Sequence, residues 1–196
     1  DTRLYADHDP NPENWTQPVP GANDGASGVA VLLEIARALP AESVPVELVF
    51  LDAEDNGRIA GWDWILGSSA YAASLRARPK AVVIVDMIGD ADLNIYQELN
   101  SAPELTAQIW GVAQRLGHGQ AFVAASKYRM LDDHLPFIEQ GLPAVDLIDF
   151  DYPYWHTLQD TPDKVSAQSL EIVGTTLLAW VDEYGPCLAQ GNCNGK

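Results

Sequence analysis

The sequence predicts an α/β fold, a three-layer α/β/α sandwich around a mixed, mostly parallel central sheet. Short β-rich apolar runs alternate with longer helical patterns, the order expected when covering helices join the strands of one sheet. Several of those runs are apolar almost throughout, as strands buried on both faces are. At 196 residues the chain suffices for one full-sized core and is short for two. Residues 1–185 are therefore read as a single domain and 186–196 as a C-terminal tail, with no internal repeat or low-complexity stretch.

The elements follow in order. Residues 1–20, punctuated by Asp9-Pro10, Asn11-Pro12, Gln17-Pro18 and Pro20-Gly21, hold no periodic apolar face and form a loop. GANDGASG, residues 21–28, leads into Val29, Val31, Leu32, Leu33, Ile35, Ala36 and Leu39, the spacing of a largely buried helix. Residues 44–51 read as a buried strand running into Asp52-Ala53-Glu54-Asp55-Asn56-Gly57. After a Gly- and Trp-rich insertion at 58–64 come a helix over 65–75 and a second buried strand over 81–88, whose apolar run Asp86 interrupts. A strand at 93–97, an amphipathic helix at 103–116 and a short strand at 121–124 precede the loop 126–131. Asp132-Asp133-His134 stands before a short helix at 136–140, and Gly141-Leu142-Pro143 leads into a strand at 144–148. The loop 149–163 carries Tyr154-Trp155-His156-Thr157, and an amphipathic helix over 165–184 closes the domain.

Composition narrows the function classes. Hydrophobic residues make up 47% and aromatics 9%, as in a globular protein, and no apolar run approaches the length that spans a bilayer. Eleven basic against twenty-eight acidic residues give a net charge of −17, which argues against a nucleic acid partner and favours solubility or attraction of cations. Cys187 and Cys193 read either as a small disulfide loop of an oxidising compartment, pointing to a secreted or periplasmic protein, or as two free thiols. No signal peptide opens the chain, and Asp1-Thr2-Arg3 is not a natural start, so a front segment is expected to be missing.

The chemistry-bearing residues gather at strand ends. Three acids crowd the end of the 44–51 strand, where open α/β sheets bind ligands, and carboxylates so close repel unless a cation or shared proton relieves them. A metal is the functional reading and an acidic solvated turn the bland one. Asp24, Asp132 and Asp133 are each open to a helix-capping role. Asp86 inside an apolar strand needs a partner, because an unpaired buried carboxylate is costly. His156, flanked by aromatics in a Pro- and Asp-rich loop, is poor packing material and a good metal ligand.

GANDGASG, a strand ending Asp-x-Glu-Asp, Val-Asp-Met-Ile-Gly, Asp-Asp-His-x-Pro-Phe and Trp-His-Thr-x-x-Asp-Thr, in this order, resemble the zinc-dependent aminopeptidase and glutaminyl cyclase superfamily. The resemblance runs from Asp1 to about Tyr184. It implies Asp24, Asp55 and His156 as zinc ligands and Glu54 as the general acid/base, with Asp55 standing where the family usually has Glu. Two carboxylates, one imidazole and an open fourth position make a catalytic zinc set. The aminopeptidases of this superfamily hold two zincs, adding Asp86 and an upstream His of a His-x-Asp motif. Asp1 matches the Asp of that motif, which puts the His before this chain, and His8 sits at the wrong spacing to replace it.

The wording Asp132-Asp133-His134-Leu135-Pro136-Phe137, the Trp155-His156 pair, Trp62 and the Pro-rich run before Gly21 resemble the glutaminyl cyclase branch. That branch needs one zinc, with Asp86 and Asp133 in hydrogen-bonding catalytic roles and Trp155 and Trp62 as pocket walls, although packing is the commoner fate of tryptophan. The resemblance therefore implies a peptide or protein N-terminus as substrate and conversion of N-terminal glutamine to pyroglutamate with release of ammonia. The alternatives are a metallo-aminopeptidase, in which Glu54 activates water instead of the substrate's amine, and a non-catalytic or truncated relative acting as a binding module.

Overall fold

The computed structural model describes residues 2–193, so the expected match of Asp1 lies outside the described residues. The elements are α1 (Ala26–Ala38), α2 (Leu66–Ser74), β1 (Val82–Asp86), β2 (Ile95–Gln97), α3 (Pro103–Arg115), β3 (Phe122–Ser126), α4 (Leu135–Glu139), β4 (Ala144–Ile148) and α5 (Ala167–Gln190). Short 3-10 turns occupy Pro12–Asn14 and Pro162–Lys164.

The pleat of β1 sorts the helices into layers. Successive strand side chains face opposite sides of a sheet. Val83 and Val85, with Val145 and Leu147 of β4, join Val31 and Ile35 of α1, Ile109 of α3 and Val173 and Leu177 of α5. Val82, Ile84 and Ala144 join Tyr71 and Ala72 of α2 and Phe137 and Ile138 of α4. Helices thus cover both faces, and each fully buried Val, Leu or Ile contributes about 1.5–3 kcal/mol. β1 pairs β4 in parallel from Val82↔Ala144 to Asp86↔Ile148. β2 pairs β3 in parallel, with a register shift between Tyr96 and Gln97. Among the described residues the isolated antiparallel bridge is Asp90↔Val165. Both ladders run in parallel, so β1 and β4 end on the same rim, which carries Asp86 and the loop after Ile148.

Two elements depart from expectation. Residues 44–51 belong to no helix and no ladder among the described residues, and Phe50 is 51% exposed where a buried strand was expected. An apolar β-rich run specifies extended backbone, whereas pairing also needs a neighbour in register. Instead of a ladder there is a cavity, lined by Val49, Phe50 and Leu51 and by Val83, Ile84 and Val85. The last helix begins when the Ser166 side chain accepts from Ser169 N, and it runs through Pro186 to Gln190, beyond the expected end at 184. Gly191 stops it with φ +69°, where a side chain would be strained. Cys187 and Cys193 form a disulfide that ties the last helical turn to the residues after it.

α1 approaches β1 at Gly28, where an added Cβ would lie 2.3 Å from the Val85 carbonyl oxygen, which is main chain and cannot swing away. Gly28→Ala is expected to cost about 1–3 kcal/mol, the range for overpacking a filled core. Gly174→Ala in α5, whose Cβ would meet only Val31 Cγ1 at 3.9 Å, is expected to be neutral or stabilising by up to about 1 kcal/mol. Urea unfolding midpoints of the two variants test this contact; equal midpoints would refute it.

Candidate metal centre

The GANDGASG loop is strapped to the end of β1 by its own polar side chains. Asn23 Oδ1 accepts from Gly89 N at 2.7 Å, its Nδ2 donates to Met87 O at 3.3 Å, and Ser27 Oγ accepts from Ile88 N at 3.2 Å. Asp24 is therefore held close to Asp86. It does not cap α1, whose N-cap is Gly25 with no side-chain bond, and its Oδ2 is buried without a hydrogen-bond partner.

The Glu54-Asp55 turn is anchored at the start of α2, where Leu66 N donates to Ala53 O at 3.1 Å and Ile65 N to Glu54 O at 2.9 Å. The loop after β4 supplies His156, and Asp160 ties that loop to the first. Its Oδ1 accepts from Asn23 N at 2.8 Å and from the Tyr152 hydroxyl at 2.7 Å, while its Oδ2 accepts from Asp24 N at 3.1 Å. Sequence reasoning gave Asp160 no role, although it is the Asp of the Trp-His-Thr-x-x-Asp-Thr pattern.

Asp24, Asp55 and His156, all buried, converge with one donor atom of each within 4.8 Å of the others. His156 Nε2 lies 3.0 Å from Asp55 Oδ2 and 3.5 Å from Asp24 Oδ2. Ligands of a tetrahedral zinc at its usual bond lengths stand about 3.3 Å apart, so these separations suit such an ion with little movement. His156 has φ +55°, and Ala53 (φ +58°) and Met87 (φ +46°) flank the same rim. Such left-handed backbone in non-glycine residues costs of order 1–3 kcal/mol and gathers at functional sites.

Glu54, Asp86 and Asp132 line both cavities at this rim, and neither lining includes a lysine or arginine. The electrostatics follow. Burial, reinforced by Asp55, Asp132, Asp86 and Asp133, pushes the Glu54 carboxyl up to about 12. Burial and then Asp55 push Asp86 up to about 7. Asp24 and Asp132 are raised well above the usual carboxylate range, again first by burial and then by neighbouring aspartates. Burial thus favours the protonated forms of these groups, and a divalent charge among them favours the carboxylates.

A cleft of about 200 Å³ opens over Glu54 and Asp55, walled by Trp64, Met130, Leu131, Phe150 and Trp155. Trp155 stacks on His156 with ring centroids 3.9 Å apart and meets Phe150 edge-on at 4.9 Å. Trp62, expected in this wall, is 54% exposed and does not line the cleft. The 58–64 insertion turns through positive φ at Arg58, Ala60 and Gly61, and Trp64 faces the cleft. Asp132, open on sequence grounds to a capping role, lines the aromatic cleft, whereas Asp133 lines only the neighbouring cavity. Neither carboxylate caps α4, where His134 holds the N-cap position without a side-chain bond. His8 is exposed, yet its ring meets Trp155 at 4.4 Å, and with Asp7 it forms a second donor group that shares His156.

Known proteins resemble this chain in sequence and in fold. The chain is 25% identical over 203 residues to the glutaminyl-peptide cyclotransferase of Bos taurus, covering 84% of this chain and 56% of the relative. It is 29% identical over 182 residues to aminopeptidase YwaD of Bacillus subtilis, covering 84% and 38%. The crystal structure of Bacteroides thetaiotaomicron glutaminyl cyclase bound to N-acetylhistamine superposes with a TM-score of 0.86 at 31% identity, covering 93% of this chain and 70% of that one. The chain thus spans about half the length, or less, of these two curated relatives. The model of peptidase family M28 matches residues 5–181, nearly the whole of the described fold, and the chain belongs to that family.

Proposed function

We propose that the chain is the catalytic part of a zinc enzyme that cyclises N-terminal glutamine to pyroglutamate, releasing ammonia. The observation that carries this reading is the convergence of Asp24, Asp55 and His156 beneath an aromatic cleft into which Glu54 is placed. The glutaminyl cyclase names among its relatives support the same chemistry. Asp24, Asp55 and His156 would hold one ion, which would supply Lewis acidity toward the substrate's γ-carbonyl.

The chain's own residues do the rest. Trp155, Phe150 and Trp64 enclose the glutamine side chain and keep bulk water from competing with the amine. Glu54, ionised beside the cation, takes a proton from the α-amino nitrogen as that nitrogen bonds to the γ-carbonyl carbon. It then returns the proton to the amide nitrogen, which leaves as ammonia when its bond to carbon breaks. Asp86, Asp132 and Asp133 surround Glu54 and hold its carboxyl and the departing amine in place.

The second reading, hydrolysis of an N-terminal peptide bond, is favoured by the second donor group of Asp7, His8 and His156, beside which an additional ion would fit, and by the aminopeptidase among the relatives. In both reactions Glu54 is the base, and the nucleophile differs.

Glu54→Gln is expected to lower turnover by at least about 10²–10⁴-fold, the range for losing a general acid/base, with zinc content by elemental analysis unchanged. Retained turnover in that variant would remove Glu54 from the mechanism. Assays of Gln-initiated peptides against amino-acid anilides separate the two reactions, and the cyclase reading expects ammonia release with the former and silence with the latter. A zinc content of one ion per chain is expected; two per chain together with anilide cleavage would establish the peptidase instead.

A further inference from the structure

Arg3 stands in a turn-rich stretch, yet its side chain is only 5% exposed, and its bonds all run toward the supports of the metal centre. Its Nη1 donates to Asp55 O at 2.6 Å and to Gly57 O at 3.2 Å. Its Nε and Nη2 form a fork on the Asp7 carboxylate, at 2.9 Å to Oδ1 and 2.6 Å to Oδ2. The guanidinium also lies over the ring of Trp64, 4.8 Å from its centroid. Asp7 Oδ1 in turn stands 3.7 Å from His156 Nδ1, on the side of the imidazole away from Asp24 and Asp55.

The backbone reinforces this bridge. His8 N donates to His156 O at 3.2 Å, and Asp9 Oδ2 accepts from Leu158 N at 3.0 Å. A buried guanidinium is costly unless its donors are satisfied, and here a bidentate carboxylate and two carbonyls satisfy them. A simple stabilising ion pair has no need to reach both the main chain of one candidate ligand and, through its partner, the far nitrogen of another.

We propose that Arg3 and Asp7 are positioning residues for the metal centre: Arg3 fixes the Asp55 turn, and Asp7, held by Arg3, orients His156 so that Nε2 faces the ion. This rests on the reading of Asp24, Asp55 and His156 as zinc ligands. Partners of this kind, behind a ligand, typically change metal affinity by about 10–100-fold. The clamp leaves the donor set unchanged and alters the cost of assembling it.

The test is a zinc titration of the full chain, stripped with a chelator and read by competition with a chromogenic zinc indicator, alongside the melting temperature of the metal-free form. Asp7→Asn keeps the shape of a half-exposed side chain and removes its charge. It is expected to weaken zinc about 10–100-fold, and Asp7→Glu, which keeps the charge for Arg3 but lengthens the arm toward His156, is expected to weaken zinc with a smaller loss of metal-free melting temperature than Asp7→Asn. Arg3→Lys, which cannot form the fork, is expected to weaken zinc similarly, and the double variant less than the two effects combined, because the residues act in one chain of contacts. Wild-type affinity in both single variants overturns the clamp, as does a lowered metal-free melting temperature with zinc affinity unchanged. A wild-type chain that binds no zinc instead overturns the metal assignment beneath it.

Discussion

The mutual repulsion of buried carboxylates organises this molecule. Asp24, Glu54, Asp55, Asp86, Asp132 and Asp133 come together at one rim of the sheet without a lysine or arginine among the cavity linings. Such a cluster is tolerable only if protons or a cation neutralise it. Protonation alone would leave Glu54 as a weak acid near 12, unable to accept a proton at neutral pH. On the proposed reading, a divalent ion among Asp24, Asp55 and His156 would relieve this repulsion and favour the ionised form of Glu54 that a base requires.

The parallel sheet delivers this cluster because its strands present their C-terminal ends on one side. β1 and β4 run in register, and the residues beyond their ends are then fastened by polar side chains with no catalytic role of their own. Asn23 binds the first loop to the end of β1, and Asp160 binds it to the loop bearing His156. The left-handed backbone at His156, Ala53 and Met87 shows where this fastening works against local preference. Aromatic stacking completes the wall, with Trp155 in contact with both His156 and Phe150.

One strand's worth of sequence shows how far local signals reach. Residues 44–51 have the composition of a buried strand and end in the acid pair, and they deliver that pair to the rim without joining a ladder. The pair's position depends instead on bonds to the start of α2 and on Arg3. The geometry of this rim is set by side-chain and turn contacts as much as by the sheet.

Local chemistry written along the chain determined the fold class, the order of the helices and of the paired strands, and which acids and histidine gather at one rim. Period-2 and period-3.6 apolar patterns, Gly and Pro punctuation and Asp or His at strand ends are properties of short stretches, and they remain legible without coordinates. Tertiary structure alone decided which of two adjacent residues faces the cleft: Asp132 beside Asp133, and Trp64 in place of Trp62. It also decided that Asp160 bonds to Asn23, 137 positions away, and Arg3 to Asp55, 52 positions away, that α5 continues through Pro186, and that Cys187 meets Cys193. The physical reason is that facing and pairing depend on backbone direction at a turn and on partners brought in from remote segments, and neither is a property of the stretch in which the residue is written.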